Sequence, residues 1–345
     1  MTDERLYLTS SYGYQLPEGL IAQSPAVPRD SSRLLILSRR DGTMEHRRFS
    51  DLTEYLHPGD LLVRNDTRVM AARLMGTKIG GGAKVELLLL SRLSDRTWEA
   101  LVRPGRRLQP GVPVELEDGT TVTIEANRSE GLREVAFPDG LNVDKLMDRL
   151  GVVPLPPYIT NTSSPAESYQ TVFSRNPRSA AAPTAGLHFT SELLDKVARM
   201  GVEIVDVTLH VGLGTFRPVQ EDDIRAHHMH RERCFISSKT AEAVNRARRE
   251  GRRVVAVGTT SVRTLESMVE NGEVVSGSRE TSLYIYPGFR FQAVDAMITN
   301  FHLPHSSLLM LVSAFAGLDM VQNAYREAVR REYRFFSFGD AMLIT

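Results

Sequence analysis

The sequence predicts an α/β fold: a three-layer α/β domain interrupted by an inserted antiparallel β-barrel domain. Three observations lead there. After Pro156-Pro157 helical and strand patterns alternate, as in a sheet covered on both faces. Between Val69 and Pro138 helical periodicity disappears, and short β-prone runs alternate with turn clusters. Residues 33–65 nevertheless share the texture of the C-terminal half, so the expected domains are a discontinuous 1–68 with 152–345 and an inserted 69–151.

Taken in order, Arg33 to Leu37 reads as a strand, Arg40-Asp41-Gly42 as a turn and the following run as a second strand. A short helix follows, opened by Ser50 and Asp51, with Glu54 at capping-box distance from Asp51. His57-Pro58-Gly59-Asp60 ends it, and Leu61-Leu62-Val63 starts another strand. In the insert, Asp118-Gly119 between two alternating runs signals a hairpin, and the even spacing of the runs suggests a small barrel. Downstream the pattern predicts helices near 190–200, 238–250 and 260–270, and strands at 202–209, 253–257, 281–286 and 294–299, with helices after 304.

Composition narrows the function classes. With 345 residues, 41% hydrophobic and 24% charged, the chain suits a folded protein of about two domains. The first ten residues have no apolar core of a secretory signal. The apolar stretch from Leu303 to Leu318 is broken by His305, Ser306, Ser307 and Ser313 and falls short of the roughly 20 residues that span a bilayer. A buried helix, no membrane partner and a cytoplasmic location are expected. Cys234 is the single cysteine, which excludes an internal disulfide and a Cys-rich zinc site. Lys+Arg and Asp+Glu are 42 each, so any RNA-binding surface must be local.

In α/β sheets ligands bind beyond the carboxyl ends of the strands. Strand 253–257 runs into Gly258-Thr259-Thr260-Ser261-Val262-Arg263, where free N–H groups, hydroxyls and an arginine suit a carboxylate or phosphate; a plain helix cap is the alternative. Strand 202–209 ends in His210-Val211-Gly212-Leu213-Gly214-Thr215-Phe216-Arg217, which has two glycines but lacks the third of a dinucleotide fingerprint. Strand 294–299 leads to Asn300-Phe301-His302-Leu303-Pro304-His305, with Pro304 suited to a helix start. His188 lies on a glycine-containing loop before a helix and is a candidate for proton transfer.

The pairs His227/His230 and His302/His305 have i, i+3 spacing and could hold a metal, but no acidic cluster accompanies them, so no metal is expected. Arginines cluster at 103/106/107, at 246/248/249/252/253 and at 326/330/331/334. Interleaved acids make the last two solvated helix faces, leaving the 103–107 loop as the better RNA candidate.

The strings PTAGLHFT (183–190), TLHVGLGTFRPV (208–219), GTTSVRTLES (258–267), YIYPGF (284–289), TNFHLP (299–304), LLMLVSAFAG (308–317) and YRFFSFGDAML (333–343) resemble the ribosyltransferase-isomerase family of queuosine biosynthesis. So do SRLLIL (32–37), PGDLLVRNDTRVMAARL (58–74) and PLPPYI (154–159), so the resemblance covers nearly the whole chain. His228, where an apolar residue is common, and the tail ending at Thr345 depart from the family pattern. The resemblance implies an α/β domain interrupted by a β-barrel. It also implies an enzyme that moves and isomerises the ribosyl part of S-adenosylmethionine onto 7-aminomethyl-7-deazaguanine at the wobble position of transfer RNA, giving epoxyqueuosine, adenine and methionine. S-adenosylmethionine is then a consumed co-substrate, no resident cofactor is needed, and a monomer is expected.

On that reading the site needs a base, for which His188, His210 and His302 are the candidates. Thr259, Thr260, Ser261 and Arg263 would hold the methionine carboxylate, and Tyr284, Tyr286 or Phe289 the sulfonium or adenine. Asn65, Asp66, Thr67 and Arg68, at the domain boundary, would approach either substrate. Core packing for the tyrosines and a simple turn for 65–68 are the alternatives, as a His-metal hydrolase or a non-catalytic tRNA-binding module are for the whole chain.

Overall fold

A computed structural model describes residues 3–161, 164–212 and 218–345. The chain divides into two compact units: Met1–Arg68, Pro156–Asn176 and Ala182–Thr345 in one, Val69–Leu155 with Pro177–Ala181 in the other. The returning segment falls four residues after the expected 151/152 boundary, and a five-residue excursion near 180 belongs to the second unit. Nothing in the local sequence of either segment marks that exchange.

The first unit is built on a nine-stranded sheet. Its spatial order is Gly277–Thr281, Glu232–Ile236, Glu203–Leu209, Leu61–Asn65, Val254–Val257, Ala296–Asn300, Ala341–Ile344, Arg33–Leu37 and Met44–Arg48. The four central strands, from Glu203–Leu209 to Ala296–Asn300, run parallel. Ala341–Ile344 runs antiparallel to Ala296–Asn300, and Arg33–Leu37 follows it in parallel. The carboxyl ends of the central strands therefore share an edge with the amino ends of these two.

The central strands read as apolar runs because both sheet faces are covered. Leu34, Ile36, Leu62, Val255, Val257, Ile298 and Leu343 pack with Phe49, Leu52, Leu193 and Val197. The alternating residues Leu35, Leu61, Val63, Val254, Ala256 and Met297 are equally buried and point to the other face. There the helices Ser238–Arg249 and Thr259–Ser267 lie against strands 61–65, 203–209 and 254–257.

Three local expectations change. The helix near 50 is a 3₁₀ turn, Phe49–Glu54, in which the Asp51 carboxylate accepts the Arg48 N–H at 2.9 Å; the cap lies three residues earlier than Asp51. The helix expected at Pro304 begins at Ser307, because the Ser306 hydroxyl accepts the Leu309 N–H at 3.2 Å. The strand expected at 281–286 is Gly277–Thr281, so Tyr284 and Tyr286 follow it in irregular structure. Strands 232–236 and 341–344 carried no signal of their own: the first is short and opens on the adjacent charges of Glu232 and Arg233, the second is an apolar tail that only pairing with its neighbours makes a strand.

The second unit contains a closed antiparallel barrel in the order Arg133–Ala136, Thr97–Arg103, Lys84–Arg92, Arg73–Lys78, Pro113–Leu116, Thr121–Asn127. Closure removes every sheet edge. Asp118-Gly119 turns the predicted hairpin, with Gly119 at φ 85°. Among the described residues no single helix is long and apolar enough to cross a membrane. Ser307–Ala316 is followed at once by Leu318–Arg330, bent by 115° from it.

Candidate active site

Four loops leave the carboxyl edge of the parallel strands, beginning at His210, Asp66, Gly258 and Phe301. Neighbouring strands are about 4.8 Å apart, so the edge from His210 to Asn300 spans three strand spacings, about 14 Å.

At one end Asn65 ties two strand ends together. Its side chain donates to Leu209 O at 3.1 Å and accepts from the N–H groups of Leu209 and Thr67 at 3.0 and 3.1 Å. Asp66 accepts from Thr208 Oγ1 at 2.7 Å and Asn176 Nδ2 at 2.9 Å. Arg68 reaches outward to Glu167 at 2.8 Å and Ser174 at 3.1 Å. Of those expected to approach substrate, Asn65 and Asp66 are buried and serve the frame, and Arg68 is held in a surface ion pair.

The frame positions a histidine. Thr67 Oγ1 lies 2.9 Å from His210 Nδ1 and 3.3 Å from the Asn176 carbonyl. The hydroxyl has one proton, which the carbonyl takes, so Nδ1 donates to Thr67 and the basic lone pair sits on Nε2. His210 is half-buried. The remainder of its motif, Leu213 to Arg217, lies outside the described residues.

Two strands across, about 10 Å away, Gly258 turns strand into helix at φ 87°, which glycine alone adopts readily. The Thr259–Ser267 helix has no side-chain cap; Gly258 O takes the Ser261 and Val262 N–H groups at 3.1 and 3.2 Å, and the N–H groups of Thr259 and Thr260 have no acceptor within the helix. Thr260 Oγ1 is a buried hydroxyl without a partner beside them. Ser261 is directed elsewhere: its hydroxyl donates back to Val257 O at 2.8 Å.

Arg263 is also directed elsewhere. It is 3% exposed and forms a buried ion pair with Glu232, while its Nε donates to Leu283 O at 3.2 Å. Its Nη2 has no partner. Glu232 further accepts the Gly212 N–H at 2.8 Å and lies 3.5 Å from His230 Nε2. Burial alone would raise this carboxyl; Arg263, His230 and the Gly212 N–H outweigh it and hold it below the ordinary carboxylate range. Nothing in the sequence pairs residues 232 and 263, because the partner comes from an antiparallel strand that was not foreseen.

At the other end, His188 is enclosed. Its Nδ1 is 2.8 Å from Ser32 Oγ and its Nε2 is 3.2 Å from Asn300 Nδ2, with Phe49 stacked on the ring at 4.9 Å. Asn300 also donates to Phe336 O at 3.0 Å and accepts from Thr184 Oγ1 at 3.0 Å. Burial lowers the His188 pKa to about 4, against a small upward pull from Asp340. Asp340 accepts the N–H groups of Arg33 and Arg334 at 2.9 and 2.8 Å, which closes the Arg334–Asp340 loop. Ser32 and Asp340 escaped the sequence reading because they precede strands that run against the parallel ones.

His302 belongs to the core. Its Nε2 lies 2.7 Å from Thr299 Oγ1, its backbone N–H donates to Tyr325 OH at 2.9 Å, and burial lowers its pKa to about 3. His305 turns to Thr9 O at 3.0 Å, and His227 to Glu221 at 3.0 Å. Among the described residues no three His, Cys, Asp or Glu side chains gather as a metal site would need. Tyr284 and Tyr286 meet at 5.1 Å, with Tyr7 and His227 against them, and Tyr284 donates to Met310 Sδ at 2.8 Å. They form an aromatic cluster rather than a pair on a strand.

A family model described as queuosine biosynthesis protein matches residues 9–344. A relative from Symbiobacterium thermophilum, named S-adenosylmethionine:tRNA ribosyltransferase-isomerase, is 55% identical over 97% of this chain and 99% of its own. One of the same name from Clostridioides difficile is 51% identical over 97% and 99%. The crystal structure of S-adenosylmethionine tRNA ribosyltransferase from Thermotoga maritima is 40% identical, covers 97% of this chain and all of its own, and superposes with a TM-score of 0.58. With its barrel-bearing α/β architecture and the filled strand-end edge, the chain belongs to the queuosine biosynthesis protein family.

Proposed function

We propose that the chain is an S-adenosylmethionine:tRNA ribosyltransferase-isomerase acting on tRNA that carries 7-aminomethyl-7-deazaguanine at the wobble position. The names of its relatives and the family match support the activity. The observation that carries the residue assignment is the uncapped Thr259–Ser267 helix, with the unpartnered Thr260 hydroxyl, two strands from the oriented His210.

The methionine carboxylate sits against the N–H groups of Thr259 and Thr260 and the Thr260 hydroxyl, where the helix dipole favours an anion. His210 Nε2 removes a C5′ proton acidified by the sulfonium, giving an ylide. The C5′ electron pair forms a C4′=C5′ double bond as the C4′–O4′ bond breaks, O4′ forms the C1′ carbonyl, and the glycosidic bond breaks to release adenine, which takes up a proton. The aminomethyl nitrogen adds to C4′ of the resulting vinyl sulfonium and loses a proton, the regenerated C5′ carbanion closes on the C1′ carbonyl, and the alkoxide displaces methionine from C5′ to give the epoxide. His188, Ser32 and Asn300 form the neutral, hydrogen-bonded wall at the far end of the edge. Arg263 acts through Glu232, and Tyr284 with Tyr286 offers a face for the sulfonium. S-adenosylmethionine is consumed, no resident cofactor is required, and the enzyme works as a cytoplasmic monomer.

The test is chromatography of small molecules released from S-adenosylmethionine in the presence of the aminomethyl-deazaguanine tRNA or unmodified tRNA. Adenine and methionine released only with the modified tRNA support the proposal. S-adenosylhomocysteine would make the protein a methyltransferase, and absence of turnover in folded protein would overturn the reading.

A further inference from the structure

The arginine clusters separate sharply once their partners are known. On the Ser238–Arg249 helix and beyond it, Arg246 and Arg252 pair with Glu203, Arg249 with Glu273 and Arg253 with Asp60, while Arg248 donates to Gly272 O. Near the C-terminus, Arg330 and Arg331 share Glu327, and Arg334 faces Asp340. In the barrel unit, Arg73 pairs with Glu86, Arg92 with Asp95, Arg96 with Glu125, Arg128 with Glu134 and Arg149 with Asp118.

The barrel turn after strand Thr97–Arg103 is the exception. Among the described residues Arg103, Arg106, Arg107, Arg133 and Lys78 have no carboxylate oxygen within 4.0 Å. Glu86, opposite Arg103 in the barrel, is taken by Arg73 at 3.0 Å. The turn is also braced from within. Arg133 donates to Gly105 O at 3.1 Å and Leu108 O at 3.0 Å, Gln109 to Arg106 O at 3.2 Å, and Lys78 to Arg107 O at 3.3 Å. Leu108 is fully buried beneath it. Four carbonyls of the turn are thus held by side-chain donors, and Arg103, Arg106 and Arg107 are exposed. A fixed turn carrying guanidinia without acids contrasts with the helix faces, where most of the clustered arginines have one.

We propose that this turn of the barrel is the surface that grips the phosphodiester backbone of the tRNA, with Arg106 and Arg107 as its principal contacts. Arginine matches phosphate bidentately, and a braced backbone lowers the ordering cost of each contact. The contacts position the RNA and read no bases, which leaves base recognition to the strand-end site. The proposal rests on the tRNA reading above and assigns it a surface.

The experiment uses the full chain. Anisotropy of labelled tRNA across a KCl series is measured for the wild type, Arg106→Ala with Arg107→Ala, Arg106→Lys with Arg107→Lys, and Arg248→Ala with Arg249→Ala as control. Loss of two phosphate contacts lowers the slope of log K against log salt by about 2. The alanine pair is expected to show that fall and a raised KM for tRNA, with KM for S-adenosylmethionine and kcat unchanged. The lysine pair and the control keep the wild-type slope. An unchanged slope in the 106/107 alanine pair, or an equal fall in the control, overturns the surface while leaving the activity standing. Equal affinity for a DNA duplex of matched length overturns the tRNA assignment of the turn. A wild type that binds no tRNA overturns the tRNA reading and the surface together.

Discussion

Asn300 donates from one amide nitrogen to both His188 Nε2, at 3.2 Å, and the Phe336 carbonyl, at 3.0 Å. A backbone carbonyl cannot donate, so it fixes which end of the amide faces it, and the amide then fixes the histidine: Nε2 accepts and Nδ1–H donates to Ser32. Phe336 itself is held at φ 69°, unusual for a bulky residue. The neighbouring Gly339 has no room for a side chain, since a Cβ would lie 2.5 Å from Arg334 O.

Replacing Asn300 by Asp removes the donor to Nε2 and adds a negative charge. The His188 pKa, now about 4, is expected to rise, and ¹⁵N NMR of the imidazole should show Nε2 protonated. An unchanged tautomer with an unchanged pKa would count against Asn300 as the residue that positions the ring.

At the opposite end of the edge, His210→Ala is expected to lower kcat by about 10²-fold or more. Thr67→Val, which leaves the ring in place but removes the acceptor of Nδ1–H, should lower kcat by a smaller factor and shift the pH profile, with KM for S-adenosylmethionine unchanged. Steady-state kinetics check both; full activity in His210→Ala would remove it as the base.

His188 and His302 have folded pKa values of about 4 and 3, below the unfolded value of 6.5. Between pH 6.5 and 4 the unfolded chain therefore binds more protons than the folded one, and stability falls as the pH drops through that window. Urea titrations at a series of pH values should give a slope that shrinks in His302→Gln and again when His188→Gln is added. A stability independent of pH across this window would contradict the burial of both rings.

Glu232→Ala strands the Arg263 charge in the interior and should destabilise the protein by about 3 to 5 kcal/mol. Arg263→Met combined with Glu232→Leu should recover most of that loss in chemical denaturation. If Arg263 instead met the substrate carboxylate directly, the stable double variant would lose affinity for S-adenosylmethionine, which calorimetry can measure.

Residues recognisable by kind were legible from the chain. The apolar runs at 61–63 and 254–257, the Asp118-Gly119 hairpin and the loss of helical period between Val69 and Pro138 gave the α/β unit with its barrel, since each is a local pattern with one stable outcome. The glycine before Thr259 marked the helix start, and His188 and His210 stood at loop and strand ends as expected. Residue roles were another matter. Whether Arg263 meets a ligand or Glu232, whether His302 is reactive or core, and which arginines keep an unpaired charge depend on partners 31, 23 or more residues away. Only tertiary structure decided these, because a hydrogen bond or ion pair is made between atoms that the sheet order brings together, and the sheet order is set by the burial of all its strands at once.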